Sequence, residues 1–190
     1  MALVRRLDLP EVLEIVPTRH GDHRGFFSEV WSVAAFAEQG LAANFVQDNH
    51  SSSAEAGVLR GLHYQAPPFA QAKLVRVTRG SIFDVAVDIR QGSPTFGRWL
   101  GLTLSAEKWN QIYVPEGFAH GFVTLEPNCE VLYKVTAPYA PRHDRGIRFD
   151  DPAIGIEWPV PAAELTLSDK DRNAPVLAEV EPAFTFEVRV

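Results

Sequence analysis

The sequence predicts an all-β protein, a sandwich or barrel holding a pocket, and three observations carry that reading. Short runs rich in Val, Ile, Phe and Tyr recur along most of the chain. The 14 prolines and 13 glycines are spread between those runs rather than gathered into a linker. When side chains are assigned to sheet faces by two-residue alternation, a few polar groups fall on otherwise apolar faces.

Taken in order, strands are expected over residues 11–16, 25–30, 58–64, 72–78, 82–89, 99–104, 111–114, 118–125 and 131–136. Arg79-Gly80-Ser81, between two strongly β-prone runs, reads as a hairpin turn. Residues 32–39, closed by Gly40, form the best short helix, with Ser32 able to cap it. Beyond residue 137 the pattern loosens into Pro-rich, charged chain with one helical turn near 165–171. Asp169-Lys170-Asp171 is too polar for a core.

Length and composition narrow the class. The 190 residues suit one domain over 1–190, and 46% apolar with 22% charged residues argues against disorder. No apolar run approaches the roughly 20 residues that cross a bilayer, so no membrane partner is expected. The start, Met1-Ala2-Leu3-Val4-Arg5-Arg6, meets charge at once and lacks a signal-peptide apolar core. The single cysteine, Cys129, can form no internal disulfide, which points to a reducing cytoplasm. A net charge of −6 gives no reason to expect a nucleic-acid partner.

Several side chains then stand out. Lys73 shares a face with Val75 and Val77, Tyr133 with Val131 and Val135, and His120 with Phe118 and Phe122. A buried ammonium is paired, reaches out to solvent, or meets an anionic ligand. Tyr133 is a core aromatic or a proton donor. Strict alternation puts Arg60 and His63 on opposite faces, and Gly61 between them allows a bulge that turns both toward one cavity. Asp171 is a solvated loop carboxylate, or it accepts the second ring N–H of His63 and fixes its tautomer. The cluster Asp22-His23-Arg24-Gly25-Phe26-Phe27-Ser28-Glu29 reads as a turn into an edge strand, and Gln47-Asp48-Asn49-His50 as a polar loop. Alternatively, Arg24 grips a phosphate while Gln47 and Asn49 hold sugar or base atoms. Tyr139, flanked by prolines, covers a loop or stacks on a planar base.

Residues 22–30, 45–65, Lys73, 115–122, Tyr133-Lys134, Arg145-Gly146-Ile147-Arg148-Phe149-Asp150-Asp151-Pro152 and Ser168-Asp169-Lys170-Asp171 together resemble the dTDP-4-dehydrorhamnose 3,5-epimerase family. The likeness spans roughly residues 10–175. It implies a cupin-type double-stranded β-helix (jelly roll) with short flanking helices, a homodimer and no cofactor. It also implies a dTDP-sugar substrate, dTDP-4-dehydro-6-deoxy-D-glucose, inverted at C3 and C5. By resemblance His63 is the base, oriented by Asp171, Lys73 stabilises the enolate, and Tyr133 is the acid. Arg60, His120 and Arg24, with Lys170 nearby, would grip the diphosphate and sugar. Arg24, Phe27 and Glu29 would come from the partner subunit, and Tyr139 would stack on thymine. Asp144 stands where the family's pattern has a glutamate. Residues 115–120 also resemble the second motif of metal-binding cupins. The first motif would need a second histidine, which His63-Tyr64-Gln65 lacks, so no metal is expected. An epimerase acting at C3 alone and a non-catalytic sugar-nucleotide-binding cupin are the competing readings. The set of His63, Lys73 and Tyr133 speaks against the second, because binding alone requires no acid and base.

Overall fold

The computed structural model describes residues 2–187. Two antiparallel sheets face each other across an apolar core. One sheet has six strands in the order β1 (Leu3–Arg6), β2 (Leu13–Val16), β11 (Gln111–Val114), β7 (Lys73–Arg79), β13 (Cys129–Val135) and β5 (Gln47–Ser53). The other has five, in the order β10 (Trp99–Ser105), β8 (Ser81–Asp88), β12 (Phe118–Thr124), β6 (Leu59–Gln65) and β14 (Asp144–Gly146). This is the jelly roll that the resemblance implies.

The core is built by alternation. Val75 and Val77 of β7, Ile112 and Val114 of β11 and Val131 of β13 meet Ile82 and Ala86 of β8, Leu104 of β10 and Phe118 and Phe122 of β12. Helix α1 (Val33–Ala37), capped by the Ser32 side chain, covers the outside of the six-stranded sheet with Phe36 over Leu13, Ile15 and Leu74. The chain after residue 146 covers the outside of the five-stranded sheet, bringing Ile154, Trp158 and Leu177 onto Leu62, Val85 and Val87. β9 (Arg90–Gln91) and β15 (Phe184–Thr185) pair in parallel at one end. β3 (His20–Asp22) and β4 (Gly25–Phe27) form a separate hairpin with exposed Phe26 and Phe27.

Three expectations are corrected. Arg79-Gly80-Ser81 is a turn, but not of a hairpin: β7 pairs with β11 and β13, whereas β8 pairs with β10 and β12, so the turn carries the chain from one sheet to the other. Gly80 takes φ +77°, and a Cβ there would lie 2.6 Å from the Cys129 Sγ, so this corner has room only for glycine. The stretch 47–50 is not a loop but part of strand β5. Its alternation is polar on both faces because it is an edge strand, with Gln47, Asn49 and Ser51 opposite Val135, Tyr133 and Val131 on the inward face. The stretch 169–171 is not wholly too polar for a core: Asp171 is 4% exposed, in the helical turn α2 (Asp169–Arg172), which decides between its two readings against the solvated one.

Candidate active site

A cavity of about 400 Å³ opens between the sheets, a size that takes a sugar ring. Its lining draws His63 and Arg60 from β6, His120 and Phe122 from β12, Lys73 from β7, Tyr133 from β13 and Ser51 from β5. The segment 166–171 closes one side.

A bulge in β6 makes this convergence possible. His63 pairs with His120, and Arg60 with Phe122, so three steps along β6 span two along β12. The extra residue puts Arg60 and His63 on the same face, as Gly61 permits. A Cβ on Gly61, at φ +132°, would sit 2.5 Å from the Gly121 Cα.

Asp171 reaches His63 from α2, whose Ser168 cap accepts the Asp171 N–H. Asp171 Oδ1 lies 2.6 Å from His63 Nε2, and Oδ2 3.5 Å from the Gly61 N–H. A carboxylate can only accept, so Nε2 carries a proton, and in the neutral ring the lone pair is therefore on Nδ1. Burial pushes the Asp171 carboxyl up, but the bonds from His63, Ser168 and Gly61 outweigh it and hold the group below the usual carboxylate range.

Lys73 is 8% exposed, and its Nζ donates to the His63 carbonyl at 3.3 Å. Burial pulls its ammonium down to about 8; Asp84 and Asp144 oppose that fall and Lys170 adds to it. Beside it, His120 Nε2 lies 2.9 Å from the wholly buried carboxylate of Asp84. Burial lowers the imidazole below its ordinary value against the pull of Asp84, with Lys73 and His63 lowering it further. Tyr133 stands on the opposite sheet from His63. Burial raises its phenol, Arg60 partly offsets this and Asp144 reinforces it, so the hydroxyl keeps its proton at neutral pH.

Other expected residues gather outside this cluster. Gln47 donates to Asn49 at 2.8 Å and accepts the Tyr139 N–H at 3.0 Å. The Tyr139 hydroxyl donates to Asp144, which also holds Lys170 in an ion pair. Tyr139 is exposed. Arg24, Phe27 and Glu29 do not line the cavity that holds His63. Arg24 is paired with Asp22, Phe27 is 72% exposed, and Phe27 and Glu29 border a separate hollow of about 430 Å³. Among the described residues no group of three His, Cys, Asp or Glu is placed to hold a metal ion, and no helix is long and apolar enough to cross a membrane.

The family model of the dTDP-4-dehydrorhamnose 3,5-epimerases matches residues 6–179. The chain belongs to that family. It is 53% identical over 177 residues to the dTDP-4-dehydrorhamnose 3,5-epimerase of Pseudomonas aeruginosa, covering 93% of this chain and 96% of the relative. The enzyme of the same name from Sinorhizobium fredii is 52% identical over 180 residues, covering 95% and 92% of the two chains. Among solved structures, the dTDP-6-deoxy-D-glucose-3,5-epimerase of Legionella pneumophila in complex with dTDP-4-keto-L-rhamnose superposes with a TM-score of 0.94 at 41% identity, covering 99% of this chain and 100% of that one.

Two groups at the site escaped the motif reading, one behind the lining and one in it. Asp84 sits inside the apolar strand Ser81–Asp88, in register with Phe122, and the reasoning that singled out Lys73 would have found it: a charge on a buried face needs a partner. Ser51 lies in a run of three serines that gives no local signal, yet its Oγ is buried with no hydrogen-bond partner among the described residues.

Proposed function

We propose that the protein converts dTDP-4-dehydro-6-deoxy-D-glucose to dTDP-4-dehydro-L-rhamnose by inverting C3 and C5. The observation that carries this reading is an imidazole–carboxylate pair on one wall of the cavity and a protonated phenol on the other, with a buried ammonium between the sheets.

Both carbons flank the C4 ketone, so loss of either hydrogen leaves a carbanion delocalised onto O4. His63 Nδ1 takes the proton, and the C–H pair becomes the C=C bond of an enolate. Asp171 holds the resulting imidazolium in place and balances its charge. Lys73, itself 8% exposed, faces the negative O4, and a fixed cation acts more strongly there than in open water. Tyr133 then gives its proton to the carbon from the other side, which inverts the centre. Exchange with solvent restores phenol and imidazole before the second carbon reacts.

In this reading Arg60 and His120 hold the diphosphate and sugar, and Lys170 with Asp144 lies at the edge of the site. Gln47, Asn49 and Tyr139 take the nucleoside, with Tyr139 stacked on the base. The active form is a homodimer in which Arg24, Phe27 and Glu29 reach the partner's cavity. The exposure of the β3–β4 hairpin supports this, because its apolar tips cover nothing among the described residues of their own cavity.

The test is incubation with the 4-keto sugar nucleotide in deuterated water. Label at both C3 and C5 in an L-configured product is expected. Label at C3 alone would replace this reading with a mono-epimerase, and no label with a binding protein.

A further inference from the structure

Asp84 has no part in the scheme above, yet its carboxylate is fully buried behind His120, which lines the cavity. Among the described residues its side chain is hydrogen-bonded to one group: His120 Nε2, at 3.0 Å from Oδ1 and 2.9 Å from Oδ2. The register explains the placement. Asp84 pairs with Phe122 and His120 with Ala86, so acid and imidazole lie on neighbouring strands of the same inward face, two register steps apart. The second acid on that face, Asp88, is occupied elsewhere: Arg90, Ser93 and Thr95 all donate to it.

We infer that Asp84 is a positioning residue for the proposed reaction, fixing His120 as a hydrogen-bond acceptor toward a sugar hydroxyl and supplying the counter-charge to Lys73. The inference rests on the reading of the reaction given above. A carboxylate accepts only, so the His120 proton is on Nε2 and the lone pair on Nδ1. A neutral His120 then offers an acceptor to a hydroxyl donor of the ring, as a grip on the substrate without a second cation beside Lys73. The groups that bear on Lys73 come from five elements besides its own: Asp84 of β8, His63 of β6, His120 of β12, Asp144 of β14 and Lys170 of α2. Asp84 is the more strongly acting of the two acids, and Asp144 is already engaged by Lys170. Removing the Asp84 charge therefore leaves the buried ammonium with its main opposing charge gone.

Asp84→Asn tests this with little change in size. Its kcat should fall about 10–100-fold, the range for groups that act through another. The alkaline limb of its kcat/KM profile should move to lower pH, because Lys73 loses its proton more easily. A wild-type kcat and an unmoved alkaline limb would overturn the inference. A merely structural role would lower the melting temperature without moving that limb. The wild-type protein gives a second test that does not depend on how the variant folds. Nitrogen-15 spectra of its imidazoles, with the His120 signals assigned by His120→Asn, should have a proton on Nε2 only at pH 7. A doubly protonated ring or an Nδ1–H tautomer would contradict the proposal. Failure of the wild-type protein to exchange deuterium would sink the reaction itself, and the tautomer result would stand apart from it.

Discussion

His63 and Asp171 stand 108 positions apart in the chain, yet the imidazole Nε2 lies 2.6 Å from the Asp171 carboxylate. One comes from a bulged strand and the other from a four-residue helix capped by Ser168. The pair determines which nitrogen of the neutral ring keeps the lone pair, and so which atom can act as base.

Asp171→Asn keeps the size of the side chain but no longer forces the proton onto Nε2. It should lower kcat about 10²–10⁴-fold, as loss of an orienting carboxylate does in other base-activated sites. Steady-state kinetics at pH 7 measure this, and an unchanged kcat would remove Asp171 from the account.

Lys73 gives the pH dependence its sign. With its ammonium at about 8 in the free protein, the active protonated form is lost as pH rises through that value, so kcat/KM should fall on the alkaline side there. Lys73→Arg, whose guanidinium stays charged, should retain less activity at pH 7 for want of fit but lose the limb near pH 8. A profile in which both proteins share the same alkaline limb would assign it to another group.

Ser51 Oγ is the one buried side-chain polar atom without a hydrogen-bond partner among the described residues, and it borders the cavity. A bound substrate can satisfy it. Ser51→Ala should therefore raise KM roughly three- to tenfold, the equivalent of one net hydrogen bond of about 0.5–1.5 kcal/mol, with kcat little altered. An unchanged KM would show that the hydroxyl stays unpaired in the complex.

Gly61 tests the bulge. Alanine there would need φ +132° and would bring its Cβ within 2.5 Å of the Gly121 Cα. Gly61→Ala should cost about 1–3 kcal/mol of stability in urea unfolding, the range for a residue held in a sparsely populated backbone region. Full stability would mean that the strand accommodates a side chain without the close approach described.

The proposed contribution of a partner subunit is tested by mixing two variants, each expected to be inactive. Arg24→Ala and His63→Ala lack different parts of the site, and in a dimer that exchanges its β3–β4 hairpins one site of each mixed dimer is whole. Random reassembly after mixing should restore activity to about a quarter of the sites. No recovery after verified subunit exchange would place Arg24 in its own chain's site.

Much of this fold was legible because apolar alternation marks strands that are buried on one face, as in 72–78 and 118–125. The same alternation placed Lys73, His120 and Tyr133 on inward faces, where the structure has them. Strand β5 escaped because its inward face lines a polar cavity and its outward face meets water, leaving no apolar period to read. The turn at Gly80 was legible as a turn, but local chemistry does not say whether the next strand stays in the same sheet. The burial of Asp171 was illegible for a related reason. Its run of charges describes a solvated helix, and only the distant His63 and Gly61 make that position a buried one.

In the proposed reaction, proton removal and proton return occur on opposite faces of one ring, from His63 and Tyr133. Tyr133→Phe, run with the 4-keto sugar nucleotide in deuterated water and analysed by proton NMR for both label and configuration, tests it most directly. Deuterium should still enter, through His63, while inversion falls about 10²–10⁴-fold. Inversion at the wild-type rate in the Tyr133→Phe protein would contradict it.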